Sequence, residues 1–202
     1  MDALRHIPLV RRGVSSPYRI ALPRTSGGLR SAAFTALCAV LIVAPVAIFW
    51  TFDLRVALTD SSCAPGIYHA VNREPSRGDL VLACLPENVA RFGLERGYLA
   101  RGRGCGDGIE PVGKVLAAVP GDTVEIAPKF VAINGKPLSN TATISRDSRG
   151  NTVTHLSWGL RRVQPGQAWL IGGSNARSWD SRYFGSVPLA SIGSALEPLV
   201  TW

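Results

Sequence analysis

The chain has 202 residues, enough for one domain of ordinary size and an appended segment, and its hydrophobic fraction of 46% is sufficient for a core. The net charge of +8 is uneven, because residues 1–30 carry six arginines and one acid. Basic segments of this kind occur in nucleic-acid-binding proteins, but the apolar segment that follows argues against nucleic acid as a partner. We expect residues 1–30 to form a largely disordered basic tail.

Residues 31–52 contain no charged side chain and are predicted to form a transmembrane helix. Twenty-two helical residues span roughly 33 Å, enough to cross a hydrocarbon core of about 30 Å. Trp50 and Phe52 stand where an interfacial aromatic belt is expected. The segment is too long and too apolar for a core helix, and a cleaved signal peptide fits poorly because 30 residues precede it and no Ala-x-Ala site follows.

The arginine-rich side of this span is predicted to stay in the cytoplasm, as the positive-inside rule requires. Residues 53–202 then lie outside, in a bacterial periplasm, and the protein is a single-pass protein of the inner membrane. The lipid bilayer is accordingly one expected partner.

The exported part is rich in short apolar runs and is predicted to be mainly β. Asn134-Gly135 indicates a hairpin, because both residues accept the positive φ of a type I′ turn. Residues 87–100 predict a helix, and residues 139–166 an insertion or a long hairpin. The expected fold is a compact, partly closed antiparallel β-structure with one or two small helices. The predicted strands are residues 66–71, 79–85, 114–119, 123–127, 130–134 and 168–173.

The four cysteines include no Cys-x-x-Cys pair, which argues against a thioredoxin-like site and a zinc ribbon. Cys38 lies in the predicted span. Cys84 and Cys105 flank the predicted helix and form either a disulfide or a pair of reduced buried thiols. An oxidising compartment favours the disulfide, which closes a loop of about 20 residues and contributes about 3 kcal/mol in the chain-entropy model.

Metal and cofactor chemistry have no support in the sequence. The histidines, His6, His69 and His155, are scattered, and we expect the last two to be solvated surface residues. The glycine-rich residues 101–108 lack the Gly-Lys-Ser/Thr ending of a phosphate-binding loop, so they are interpreted as a plain loop. No metal and no cofactor are therefore predicted.

A serine and a lysine offer a different chemistry. Ser62 lies just beyond the predicted span, three residues before Pro65, and serine needs a positioned base to act as a nucleophile. Lysine serves as that base only when burial makes it neutral, which arginine cannot become. The chain has three lysines and 19 arginines, and Lys114 alone stands at the start of an apolar strand. Lys129 and Lys136 lie at hairpin turns and should be solvated.

Residues 172–185 are dense in hydrogen-bonding side chains and follow an apolar run. Side chains of such a loop can hydrogen-bond to a lysine and a serine and hold them in position. Together, Ser-x-x-Pro, Lys-Val-Leu-Ala-Ala-Val-Pro-Gly-Asp and Gly-x-Ser-Asn-x-x-Ser-x-Asp-Ser-Arg-Tyr-Phe-Gly resemble the type I (S26) signal peptidases. Several further features resemble the conjugative-transfer branch of TraF-type peptidases: Gly66-Ile67-Tyr68, Cys84-Leu-Pro, residues 95–98, Cys105, and Val200-Thr201-Trp202. The resemblance covers about residues 53–202.

The resemblance implies a role for each matched residue. It makes Ser62 the nucleophile and Lys114 the general base. In the last motif, Ser178 takes the position that hydrogen-bonds the lysine, Asp180 the acidic position, and Arg182 that of the arginine paired with the acid.

Two residues depart from the family pattern: Cys63 replaces the usual Met after the nucleophile, and Ser174 replaces the usual Asp. Ser61 is an alternative hydroxyl, although the spacing to Pro65 and Tyr68 favours Ser62.

The implied function is a membrane-anchored serine endopeptidase that cleaves signal or leader peptides of exported proteins beside small side chains. The resemblance points to a conjugative pilin precursor as substrate, and to other conjugation or type IV secretion components as partners. The acyl-enzyme has two outcomes, release by water or attack by the substrate's own amine, which gives a cyclic peptide. Two rival interpretations are a LexA-like autoprotease, which needs a DNA-binding domain, and a non-catalytic membrane-anchored β-module that scaffolds a secretion or pilus complex.

Overall fold

A computed structural model describes residues 28–58 and 63–202. The predicted basic tail, apart from its last three residues, lies outside these ranges, and so do Ser61 and Ser62. Contacts divide the chain between Pro45 and Val46, and the second unit, Val46–Trp202, contains all of the β-structure within the described ranges.

The first element is the apolar helix α1, Gly28–Thr51. Its segment Ser31–Thr51 has a mean hydropathy of 2.5 and is long and apolar enough to cross a membrane. None of that segment is buried by the rest of the protein, whereas the core helix of a soluble domain would be covered. Length, composition and exposure are therefore those of a membrane anchor.

The described residues after α1 form two antiparallel sheets. The strands are β1 Leu54–Ala57, β2 Gly66–Val71, β3 Leu80–Ala83, β4 Val112–Ala118, β5 Thr123–Ile126, β6 Val131–Ile133, β7 Lys136–Pro137, β8 Gly159–Arg162, β9 Gln167–Ile171, β10 Val187–Pro188 and β11 Ile192–Thr201. The larger sheet has seven strands in the order β1-β2-β11-β3-β4-β9-β10, and the smaller has four in the order β7-β6-β5-β8. The helices after α1 are α2 Glu87–Arg96, α3 Ser181–Phe184 and a short 3₁₀ turn Leu189–Ser191.

Strand β4 joins the two parts of the core. Val112 and Leu116 belong to a cluster under α2, whereas Ala117 and Ala118 pack with the smaller sheet. The pairing of β4 with β9 shifts register between Leu116 and Ala118, which redirects the later side chains toward the second cluster. One strand thus fixes both halves of the domain relative to each other.

The predicted mainly β, antiparallel fold is confirmed, and each predicted strand is present. The Asn134-Gly135 hairpin is confirmed too, because φ is positive at both residues, 50° and 77°. The predicted helix 87–100 is too long: α2 ends at Arg96, because Gly97 adopts a left-handed conformation and its N–H bonds back to the last turn.

The largest omission from the sequence prediction is β11. It pairs with β2 on one side and β3 on the other, although Pro198 lies within it. Proline usually marks an edge strand, and here the register shifts beside it, between Pro198 and Val200. The prediction that His69 and His155 are solvated is also wrong: both are half-buried, and His155 stacks on Trp158 with ring centroids 3.9 Å apart.

Candidate active site

Lys114 is the buried amine of the larger sheet. It points to the same side of β4 as Val112 and Leu116, and its paired residue on β3 is the fully buried Val81. Only 4% of Lys114 is exposed. Strand β4 begins at Val112, two residues earlier than predicted, so Lys114 lies within the strand and not at its first residue.

The electrostatics of Lys114 follow from this burial. Loss of hydration disfavours the ammonium and lowers the pKa of Lys114 to about 8. The negative charge of Asp180 opposes the shift, and the positive charge of Arg182 adds to it. A substantial neutral fraction is therefore available near pH 8.

Ser178 holds the amine in place. Lys114 Nζ donates a hydrogen bond to Ser178 Oγ at 2.6 Å, and Ser178 is itself buried. Gly172, directly after β9, makes room for this contact, because a Cβ there would collide with the Ser178 side chain. The sequence motif of residues 172–185 begins with Gly172 but assigns it no role, because that role depends on a close approach to Ser178 that only the folded chain shows.

Asp180 and Arg182 form a completely buried ion pair below this serine. Asp180 Oδ1 accepts from Arg182 Nε at 2.8 Å, and Oδ2 accepts from Arg182 Nη2 at 2.8 Å. Asp180 Oδ2 also accepts from the Gly172 N–H at 2.9 Å. The carboxylate thus ties the loop after β9 to the start of α3.

The Arg182 guanidinium extends the network to three backbone carbonyls. Nη2 donates to the carbonyl of Ser178 at 2.8 Å, and Nη1 donates to the carbonyls of Ala142 and Ala176 at 2.6 and 3.2 Å. A buried charge is tolerated when its hydrogen-bonding groups are satisfied in this way. The predicted residues Lys114, Ser178, Asp180 and Arg182 thus share one buried cluster.

Cys63 brings the segment after Ser62 to the same cluster. Burial raises the pKa of the Cys63 thiol, while the Tyr68 hydroxyl and the positive charge of Lys114 act in the opposite direction. Interaction with both groups requires the thiol to lie near them. Residue 63, which is bonded directly to Ser62, is therefore within electrostatic range of the buried amine.

A cleft of about 500 Å³ opens beside Lys114. Its walls are residues 97–100, 110–114 and 177–179. The first wall belongs to the loop closed by the disulfide between Cys84 and Cys105, whose Cα atoms are 5.7 Å apart.

Trp179 joins this cleft to the disulfide-closed loop. Its ring centroid lies 5.3 Å from Tyr98 and 6.1 Å from Phe92 of α2. Gly93 allows the approach, because a Cβ there would come within 2.7 Å of the indole. Trp179 lies between Ser178 and Asp180 in sequence, so α2 braces the segment that holds the lysine.

The free energy of unfolding is predicted to rise with pH above about 8. The pKa of Lys114 is about 8 in the folded protein and 10.5 in its ordinary state, so between these values only the unfolded chain keeps the proton. More protons bound in the unfolded state mean greater stability at higher pH, here by about 3 kcal/mol. Urea unfolding of the full chain in detergent micelles, compared with Lys114→Met from pH 7.5 to 10, measures this. Parallel pH curves for the two proteins would contradict it.

The sequence of this chain matches a known protein family. The sequence profile of the signal peptidase, peptidase S26, family matches residues 29–200, so this chain is a member of the S26 signal peptidase family. The site described above thus belongs to a peptidase family.

The chain is also similar to individual proteins of plasmid and conjugal transfer. It is 34% identical over 176 residues to the conjugal transfer protein TraF of Agrobacterium tumefaciens (strain 15955), covering 86% of this chain and 97% of that protein. It is 32% identical over 145 residues to a plasmid transfer protein TraF of Escherichia coli, covering 71% and 81%. A signal peptidase I from Enterococcus faecalis aligns with 63% of this chain and all of that chain at 25% identity, with a TM-score of 0.38.

Proposed function

We propose that this chain is a membrane-anchored serine endopeptidase in which Ser62 is the nucleophile and Lys114 the general base. The single observation that carries the proposal is the buried Lys114 amine, which is hydrogen-bonded to Ser178, has a pKa of about 8 and lies within electrostatic range of the residue that follows Ser62. An amine of this kind can accept a proton near neutral pH. The other two lysines, Lys129 and Lys136, are exposed at the surface.

The proposed reaction begins with neutral Lys114 taking the proton of the Ser62 hydroxyl. Ser62 Oγ attacks the scissile carbonyl, the Lys114 ammonium returns the proton to the departing amine, and an ester remains on the serine. Lys114 then deprotonates a water that releases the acyl group. If the substrate's own terminal amine attacks in place of water, a peptide bond closes and the product is cyclic.

Ser178, Asp180 and Arg182 act as supporting residues in this proposal. Ser178 orients the amine through its 2.6 Å hydrogen bond, and the buried ion pair holds the backbone on which Ser178 lies. The cleft beside Lys114 supplies the space for an extended segment of substrate. Its walls, held by the disulfide and by Trp179, give a fixed shape that can select small side chains.

We place residues 1–30 in the cytoplasm, residues 31–52 in the inner membrane, and the peptidase domain 53–202 in the periplasm. The surface around the start of the domain supports contact with lipid. Val56 and Val200 flank Ile67 across three neighbouring strands, and both valines are exposed. Leu58 and Trp202 are exposed too. Apolar surface that adjoins a membrane anchor is suited to the bilayer interface.

The proposed substrate is a conjugative pilin precursor with a hydrophobic segment. The relatives named as conjugal and plasmid transfer proteins support this context, and other conjugation or type IV secretion components are the expected partners. A serine held near the membrane surface meets the chain of a precursor where its hydrophobic segment ends. Removal of the leader at that point would mature the pilin.

Co-expression of the full chain with a panel of candidate pilin precursors tests the function. A peptidase predicts a shorter product of defined mass, and a cyclase a product lighter by one water than the linear form. Ser62→Ala and Lys114→Ala are each expected to leave the precursor uncut while the protein stays folded and membrane-bound. A scaffolding module, in contrast, would support pilus assembly equally well with either substitution.

A further inference from the structure

The turn that follows Ser62 is fastened by two hydrogen bonds to consecutive carbonyl groups. Tyr68 Oη donates to the carbonyl oxygen of Ala64 at 2.7 Å. The backbone N–H of Trp202 donates to the carbonyl oxygen of Pro65 at 3.0 Å. Tyr68 lies on β2 and Trp202 directly follows β11, so the turn is held from two different segments of the chain.

Tyr68 is a rigid donor. It lies on β2, between Arg55 of β1 and Pro198 of β11, and only 4% of it is exposed. A buried aromatic side chain on the middle one of three paired strands has little rotamer freedom, so the position of its hydroxyl is set by the sheet. The Cys63 thiol lies against the same hydroxyl.

Gly66 allows the second donor to reach the turn. A Cβ at this position would collide with the carbonyl oxygen of Val200 and would lie 3.1 Å from Cα of Thr201. Any other residue would therefore push the end of β11 away from β2 and move Trp202 from Pro65. Residues 66–68 and residues 200–202 therefore contact each other, and each segment supplies one of the two hydrogen bonds to the turn.

We propose that the Tyr68 hydroxyl and the Trp202 N–H are positioning groups that hold the turn of Cys63, Ala64 and Pro65, which directly follows the proposed nucleophile. This inference rests on the proposed function. Because residue 63 is bonded directly to Ser62, a shift of the turn is passed to the nucleophile through the backbone. In this role Tyr68 is a positioning residue that acts through the backbone of the turn.

Tyr68→Phe removes the hydroxyl and keeps the packed ring. We expect kcat to fall about 10- to 100-fold, because a small displacement of a reacting group has an effect of this size, with KM changed less than about twofold. The pH dependence of kcat/KM should keep its midpoint, since Lys114 and Ser178 are not altered. The substrate is the precursor that the unsubstituted protein cleaves fastest in the co-expression panel. Tyr183→Phe is the control, because Tyr183 is comparably buried and its hydroxyl accepts from the Ile144 N–H instead.

The second donor is tested by a matched pair at residue 202. Trp202→Pro removes both the side chain and the N–H, whereas Trp202→Ala removes the side chain only. We expect kcat of the proline variant to be about fivefold or more below that of the alanine variant. In the double variant Tyr68→Phe/Trp202→Pro, the loss of kcat should differ from the product of the two single losses, because both substitutions release the same turn.

Three results overturn the inference, provided that Ser62→Ala and Lys114→Ala are inactive. The first is a Tyr68→Phe protein with unaltered kcat, even if its melting temperature falls, since that shows a purely structural role. The second is an equal kcat for the proline and alanine variants. The third is an equal loss of kcat in Tyr183→Phe and Tyr68→Phe. Cleavage by the Ser62→Ala protein, by contrast, would overturn the proposed function itself.

Discussion

Lys114→Arg is expected to lower the rate of precursor cleavage by about 10²- to 10⁴-fold, the range that a positioned general base contributes. The substitution keeps positive charge and length, but the guanidinium stays protonated and cannot accept the proton of Ser62. Cleavage is measured on the precursor identified by co-expression, with the variant in the same membranes. Lys136→Arg is the matched control, because Lys136 is exposed on β7 and its charge has no part in the proposed reaction.

A folding defect must be separated from a chemical one in this experiment, because arginine is larger than the space that Lys114 fills. Lys114→Met, which fits the same space without charge, should be folded and equally inactive. Full activity of Lys114→Arg would show that the general-base assignment is wrong. In the unsubstituted protein, kcat/KM should rise as the pH passes through 8, because Lys114 loses its proton there. A kcat/KM that stays constant through pH 8 would also show that the general-base assignment is wrong.

Asp180→Asn is expected to destabilise the domain by about 3–5 kcal/mol, the range for breaking a buried ion pair by removing one partner. Neither Asp180 nor Arg182 has any exposed side-chain surface, so the Arg182 charge would remain buried without its counter-ion. Urea unfolding of the full chain in micelles at pH 7.5 measures the loss. Cleavage should fall as well, because Arg182 Nη2 holds the carbonyl of Ser178.

Asp79→Asn provides the comparison for this prediction. Asp79 also pairs with an arginine, Arg73, but that arginine side chain is 43% exposed and the pair is screened by water. Surface pairs of this kind contribute about 0–1 kcal/mol, so the control should lose little stability. If Asp180→Asn costs no more than Asp79→Asn, the buried pair does not support the site as described.

The sequence was most informative about local features and least about long-range pairing. The strands 66–71 and 168–173 and the Asn134-Gly135 hairpin were predictable, because alternation and turn chemistry are local properties. Strand β11 was not predicted, because its pairing with β2 and β3 is visible only in three dimensions and Pro198 argues against a strand. The end of α2 at Arg96 is not predicted from the sequence, although Gly97 is a residue type that commonly ends a helix in a left-handed conformation.

By itself, the sequence determined the apolar span, the antiparallel β class and the peptidase family, since composition, alternation and motif order carry these properties. The tertiary structure decided the state of Lys114. Its pKa of about 8 depends on burial inside the folded domain and on the charges of Asp180 and Arg182, which belong to a later segment of the chain. It also decided that Gly172 leaves room for Ser178 and that Trp202 reaches Pro65. Desolvation and close approach depend on distances between segments remote in sequence, and only the folded chain sets those distances.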